Sequence, residues 1–341
     1  MRNLKIIGGS SNLKLVNDVG RLLRKKTLNN VFEYFANTEF RPRIPESVRG
    51  KDIFVIQTGG YAVKENGEGQ CRTANDYLME TYILLKTLRR SDAKTINLIA
   101  PFFPYSREDK KDNPRGAISA RDVADLFELG GVNRVITFDL HAPQIQGFFN
   151  VPCDNLYATQ LIKNYLQRTV FRKSKNYQKK FVLIAPDEGA LKRIKEFAGL
   201  FGLPFVVLSK ERDYTKKNTV EKMVLIGRKK YVEGRTAIII DDMIDTFGTV
   251  NKATKLLAEK GVKNLIVCAT HGIFSGPALN LIKENDFIKM VLVSDSIPQE
   301  DHQKECSKIK VFTIAPMIVD IIRRLTKGQS VSEIFNHSGK K

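Results

Sequence analysis

Eight short apolar runs constrain this chain more than any other feature of its sequence: Ile53–Thr58, Ile96–Pro101, Val135–Asp139, Phe181–Ala185, Phe205–Leu208, Ala237–Ile240, Leu265–Ala269 and Met290–Val293. They are rich in β-branched residues and show little of the alternation that marks a strand with one wet face. Such strands must be covered on both sides, as those of a parallel sheet are. Amphipathic patterns between them, over Asp76–Leu88, Ser119–Leu129 and Val250–Glu259, predict the covering helices. The fold class is therefore α/β, with mostly parallel sheets flanked by helices.

The chain's 341 residues exceed the roughly 100–200 of one domain. A duplication is expected from an internal echo. GVNRVITFDLH at Gly131–His141 resembles GVKNLIVCATH at Gly261–His271, and each follows an amphipathic helix. The basic stretch Gln167–Lys180 reads as a solvated linker or loop surface near the junction. The expected units are residues 1–156 and 157–341. Gly59–Ala74 is a long, Gly-rich loop between a strand and a helix, a length that points to function or motion.

No apolar run approaches the ~20 residues that span a bilayer, and the short apolar N-terminus reads as a first strand and not as a signal peptide. Cys71, Cys153, Cys268 and Cys306 form no CxxC pair and the histidines are scattered, so no structural zinc site is expected. The thiols fit a reducing compartment, hence the cytoplasm. A net charge of +19 attracts polyanions, either nucleic acid or phosphorylated small molecules. The absence of a zinc finger, RNP-type motif or basic zipper counts against nucleic acid.

The most specific chemistry lies in IIIDDMIDTFGT, Ile238–Thr249. An apolar strand delivers Asp241 and Asp242 to its carboxyl end, where paired carboxylates can hold ribose hydroxyls or water on a magnesium ion. The turn Asp245-Thr246-Phe247-Gly248-Thr249 then opens a helix, whose N–H groups can cradle a phosphate. The plain structural alternative is a helix cap made by Asp245 or Thr246 with nothing bound.

This turn resembles the signature of type I phosphoribosyltransferases. The chain as a whole resembles the ribose-phosphate pyrophosphokinase (PRPP synthetase) family, through SVRG at Ser47–Gly50, FPYSREDKKD at Phe103–Asp112, DLHAPQIQGFF at Asp139–Phe149, THGIFSGPA at Thr270–Ala278 and IPQED at Ile297–Asp301. The resemblance implies two tandem phosphoribosyltransferase-like domains, ATP on the first and ribose 5-phosphate on the second. It implies magnesium as cofactor and transfer of diphosphate from MgATP to the sugar. Arg107 would contact ATP beside Glu108, with Lys210 and Arg212 on a loop that closes over the reacting phosphates. His141 and Asp187 would help hold magnesium. Phe35, Asn37 and Glu39 would hold the nucleotide of a neighbouring subunit, which requires a homo-oligomer built from dimers, such as a hexamer. Asp241, Asp242, Asp245, Thr246, Phe247, Gly248 and Thr249 would bind ribose 5-phosphate. Ser47, Arg49 and Arg115 resemble positions that sense phosphate and ADP. Neither a membrane nor a nucleic-acid partner is implied.

Four departures from the family pattern bear on activity: Glu108 in place of Gln, PDEGA at Pro186–Ala190 in place of PD-x-GG, Phe247 in place of a small residue, and the longer Gly59–Ala74 loop. Two of them threaten the phosphate sites directly. Ala190 lacks a glycine's freedom at positive φ, and Phe247 puts a ring inside the sugar-phosphate turn. The competing readings are a non-catalytic regulatory subunit, a PRPP-consuming phosphoribosyltransferase and a nucleic-acid-binding module.

Overall fold

The computed structural model describes residues 3–29, 31–60, 72–212 and 221–335. They form two compact units that are not consecutive in sequence. The first takes in Met1–Ala158, Asp295–Pro298 and Thr313–Lys341; the second takes in Thr159–Ser294 and Gln299–Phe312. The helix Ala315–Thr326 thus belongs to the first unit and not to the C-terminal half.

In the first unit the strands are β1 (Leu4–Gly8), β2 (Thr27–Leu28), β3 (Phe32–Tyr34), β4 (Phe40–Pro42), β5 (Asp52–Ile56), β6 (Thr95–Ala100), β7 (Arg134–Phe138) and β8 (Cys153–Leu156). Six of them make one parallel sheet in the order β2-β1-β5-β6-β7-β8, and β3 and β4 pair as a separate antiparallel hairpin. Ile53 and Val55 pack with Leu84, Leu85 and Leu88 of the helix Ala74–Arg90, while the intervening Phe54 and Ile56 are just as buried. Both faces are therefore covered, which explains why the sequence shows no alternation.

The second unit holds β9 (Phe181–Ala185), β10 (Phe205–Arg212), β11 (Glu221–Ile226), β12 (Thr236–Ile244), β13 (Asn264–Gly272), β14 (Ile288–Ser294) and β15 (Ile309–Phe312). Their order is β11-β10-β9-β12-β13-β14-β15, parallel except for β11 against β10. With β11 set aside, the two sheets have the same strand order. The duplication stands on that order and not on the echo. Gly131–His141 spans β7, the fifth strand of its sheet in chain order, whereas Gly261–His271 spans β13, the fourth of its own. The two histidines also differ: His141 is exposed and His271 is buried. Similar burial of a generic strand produced the likeness.

Gln167–Lys180 is not a linker. It continues the helix Thr159–Leu166 as one π-helical turn, Gln167–Phe171, and ends in the short helix Tyr177–Lys180. Phe171 is the reason: its ring stacks on Tyr177 at 4.5 Å and meets Phe181 and Phe201 edge-on at 5.1 and 5.0 Å. One buried aromatic anchors an otherwise basic surface segment.

Candidate functional site

In sheets of this kind ligands bind beyond the carboxyl ends of the strands, where the chain order reverses. In the second unit that point lies between β9 and β12. Ile239 pairs with Ile184, and continuing that register sets Asp241 level with Pro186. The loop Pro186–Ala190 and the acidic end of β12 are thereby adjacent. Arg193, on the helix Leu191–Phe201, joins them: its NH1 lies 3.2 Å from Asp241 Oδ1 and 3.5 Å from Asp242 Oδ1. Burial, then the charge of Asp242 alongside, push the Asp241 carboxyl well above the usual carboxylate range; Arg193 works in the opposite sense. Sequence reading gave Arg193 no role. Its place in the first turn of the helix that follows the Pro186–Ala190 loop was the available signal.

The strand β12 runs to Ile244, four residues beyond the apolar run that announced it. Asp245 is partly exposed, Thr246 and Thr249 are exposed, and Gly248 begins the helix Gly248–Glu259. No side chain caps this helix. Asp245 and Thr246 therefore do not make the cap that was the structural alternative, and the first N–H groups face a turn lined by hydroxyls.

Both worrying substitutions have a local answer. Phe247 has φ 63°, a left-handed backbone, and its side chain is only 3% exposed, in the core with Val267 and Ile244. The ring points into the core, so Phe247 offers a ligand its backbone alone. Ala190 has φ −76° and ψ −7° and is buried. Its backbone is right-handed, where a glycine's freedom is not required. Asp187 is exposed, and its Oδ1 accepts a hydrogen bond of 2.9 Å from Ala190 N.

The side chains of Lys210 and Arg212, at the end of β10, lie outside the described residues, as do Asp213–Asn218 and most of the Gly59–Ala74 loop.

In the first unit, Phe35, Asn37 and Glu39 occupy the β3–β4 hairpin. The turn closes through Phe35 N to Glu39 O at 2.7 Å and Thr38 N to Phe35 O at 3.0 Å, with Thr38 at φ 73°. Asn37 Oδ1 accepts from Glu39 N at 3.2 Å. This leaves Phe35 48% exposed, with the Arg41 guanidinium 5.4 Å from its ring centre. An aromatic ring held out in this way is a platform for a planar base.

Arg107 and Glu108 are exposed in the loop after β6, where Glu108 N bonds Tyr105 O at 3.0 Å and Glu108 O accepts from Ala120 N at 3.2 Å. His141 follows Asp139, a buried residue at φ 38° whose Oδ2 accepts from Ala158 N at 2.8 Å. That constrained turn directs the chain out of the sheet and leaves His141 exposed. Ser47 is exposed, Arg49 pairs with Asp92 at 3.3 Å, and Arg115 is exposed at φ 64°.

Among the described residues no three His, Cys, Asp or Glu side chains converge on one point. His141 and Asp187 instead stand as single exposed ligands, one in each unit. That donor set fits magnesium, which keeps much of its water and takes substrate phosphates as ligands in place of a protein cage.

Residues 4–131 match the family model of the N-terminal domain of ribose phosphate pyrophosphokinase, and residues 214–336 match that of the phosphoribosyl synthetase-associated domain. Phosphoribosylpyrophosphate synthetase from Mycobacterium smegmatis is 34% identical, over 96% of this chain and 99% of that one, with a TM-score of 0.83. Adenine phosphoribosyltransferase from Saccharomyces cerevisiae is 18% identical over 50% of this chain and 80% of its own, with a TM-score of 0.28. The enzyme of the same name from Trypanosoma brucei is 15% identical over 47% and 75%, with a TM-score of 0.30. Likeness at these last two levels bears no weight.

Proposed function

Since this chain belongs to the ribose-phosphate pyrophosphokinase family, we propose that it is a ribose-phosphate diphosphokinase that transfers the β,γ-diphosphoryl group of ATP to the C1 hydroxyl of ribose 5-phosphate. The C1 oxygen bonds the β-phosphorus, the bond from that phosphorus to the bridging oxygen breaks, and AMP leaves with the oxygen. PRPP is the other product, and the sugar hydroxyl loses its proton.

The observation that carries this reading is the open turn after β12. Asp241 and Asp242 can accept hydrogen bonds from ribose hydroxyls, and Arg193 keeps the pair facing the same side. Asp245, Thr246, Gly248 and Thr249 can hold the 5-phosphate on the uncapped helix terminus. Because Phe247 turns inward, the turn keeps its space, which speaks against a degraded, purely regulatory subunit.

On the nucleotide side, Phe35 would stack on adenine, Asn37 and Glu39 would take its polar edge and ribose, and Arg107, beside Glu108, would meet the phosphates. By resemblance, Lys210 and Arg212 neutralise charge that develops on the transferred group. Magnesium, with His141 and Asp187 as candidate ligands, would supply further charge neutralisation on the phosphates. The hairpin residues serve a neighbouring subunit's nucleotide, so the working form is a homo-oligomer built from dimers. Ser47, Arg49 and Arg115 are the proposed sensors of phosphate and ADP. The free thiols of Cys153, Cys268 and Cys306 favour the reducing cytoplasm, and no helix among the described residues is long and apolar enough to cross a membrane.

The test is quantitation of AMP and PRPP from ATP, ribose 5-phosphate and magnesium. Equal amounts are expected, lost on Lys210→Ala. No AMP at saturating substrates would refute the assignment.

A further inference from the structure

The first unit has its own point of strand reversal, between β1 and β5, and it is filled. A Cβ at Gly9, just past β1, would lie 2.1 Å from Gln57 Oε1, so the Gln57 side chain occupies that space. Gln57 Oε1 accepts from Ser11 N at 3.0 Å, and its Nε2 donates to Glu80 Oε2 at 2.9 Å. Glu80, on the helix Ala74–Arg90, is 1% exposed. Its carboxylate also accepts from Ser10 Oγ, the Tyr34 hydroxyl and the Arg72 guanidinium.

Arg72 has a singular place in this cluster. It ends the long loop after β5, whose counterpart by strand order in the second unit is the turn after β12. The next residue, Thr73, caps the helix through a reciprocal pair with Asp76, Thr73 N to Asp76 Oδ2 at 2.6 Å and Asp76 N to Thr73 Oγ1 at 3.3 Å. The stem of Arg72 is thereby fixed. Its guanidinium donates to Ser10 Oγ at 3.1 Å and to the Tyr34 hydroxyl, and lies 3.8 Å from the centre of the Tyr34 ring. Tyr34 ends β3, one residue before Phe35. The β3–β4 hairpin has no backbone ladder to the main sheet. Its orientation rests on side chains: Phe32 and Ile44 against the core, and Tyr34 on Arg72 and Glu80.

We propose that Arg72 and Glu80 form a positioning node: they orient the hairpin that carries Phe35, Asn37 and Glu39 and thereby set the affinity for the adenine nucleotide. This rests on the reading of those three residues as nucleotide contacts. The end of the extended loop then has a definite role, to hold the nucleotide platform where a ladder does not.

Initial rates of the full chain at varied MgATP and varied ribose 5-phosphate test it. The variants are Arg72→Ala, Arg72→Ala with Glu80→Gln, and Tyr34→Phe. The KM for MgATP is expected to rise about tenfold in both Arg72 variants and about threefold in Tyr34→Phe, as befits loss of charged and single hydrogen bonds. The KM for ribose 5-phosphate stays unchanged. The double variant separates positioning from stability, because it removes the buried carboxylate that Arg72→Ala leaves unpaired. Recovery of the MgATP KM together with thermal stability in that variant overturns the proposal, as does a rise common to both substrates. Equilibrium titration with a fluorescent ATP analogue separates the two readings. If the wild-type chain binds the analogue without turnover, the diphosphokinase assignment fails, and the affinity ratio of the variants still decides the node. If it binds no nucleotide, the node fails as well.

Discussion

Phe247 is expected to act on stability through its ring and on the turn through its backbone, and two substitutions separate these effects. The ring is 3% exposed in the core of the second unit, so Phe247→Ala should cost about 3–5 kcal/mol, the usual range for a buried Phe. The φ of 63° adds a second contribution. An alanine retains the left-handed strain of about 1–2 kcal/mol, which a glycine lacks. Glycine in turn loses roughly 0.4–1 kcal/mol through the freedom of its unfolded chain. Phe247→Gly should therefore be the more stable of the two variants by up to about 1 kcal/mol, an unusual order for two truncations at one site. Urea unfolding followed by far-ultraviolet circular dichroism, with both variants beside the wild type, measures this. The KM for ribose 5-phosphate of Phe247→Gly should stay within about threefold of wild type, since a change under 1 kcal/mol is less than tenfold. If alanine proves as stable as glycine, the left-handed backbone is not imposed by the turn. If neither variant loses more than about 1 kcal/mol, the ring is not in the core and obstructs the site after all.

Asp241 sets a pH dependence. Its folded pKa is raised, so between the ordinary carboxylate pKa and that raised value the folded chain holds a proton that the unfolded chain has released, and stability falls as pH rises through this window. Asp241→Asn lacks that fall, so its stability relative to wild type should improve with rising pH in urea titrations across the window; a flat difference would refute the shift. Ala190→Gly should restore no activity and should lower stability by about 0.5–1 kcal/mol, because the backbone there is already right-handed; a gain in kcat would contradict this. Burial pushes the Cys153 thiol up to about 12 and the Cys268 thiol higher still, and Cys306 is buried. Iodoacetamide at pH 8 followed by peptide mapping should leave all three unlabelled until the chain is denatured.

The apolar runs foretold eight strands and the class of the sheets, because strands buried on both faces carry their environment in their composition. Strand order was not legible, since it depends on pairings among distant segments. For that reason the echo between Gly131–His141 and Gly261–His271 misled: it matched two strands alike in burial but different in position. The turn at Asp241–Thr249 was readable because one continuous segment supplies it. Arg193 was not, since only the register of β9 with β12 brings it to the two carboxylates. The node at Glu80 was further out of reach, drawing on residues 10, 34, 57, 72 and 80. The fear over Phe247 came from residue size alone, and a backbone dihedral removed it.

The helix Ala315–Thr326 packs its apolar face in the first unit and Arg323 reaches Leu22 O at 3.0 Å, on the helix Leu13–Leu23. The chain passes from one unit to the other after Ala158, Ser294, Pro298 and Phe312. The second unit is thus an insertion within the first. During synthesis the ribosome delivers nearly all of the second unit before the first has its closing helix, so the first unit begins earliest and is completed last. A truncation that removes only the final helix should accordingly unsettle the unit made from the other end of the chain.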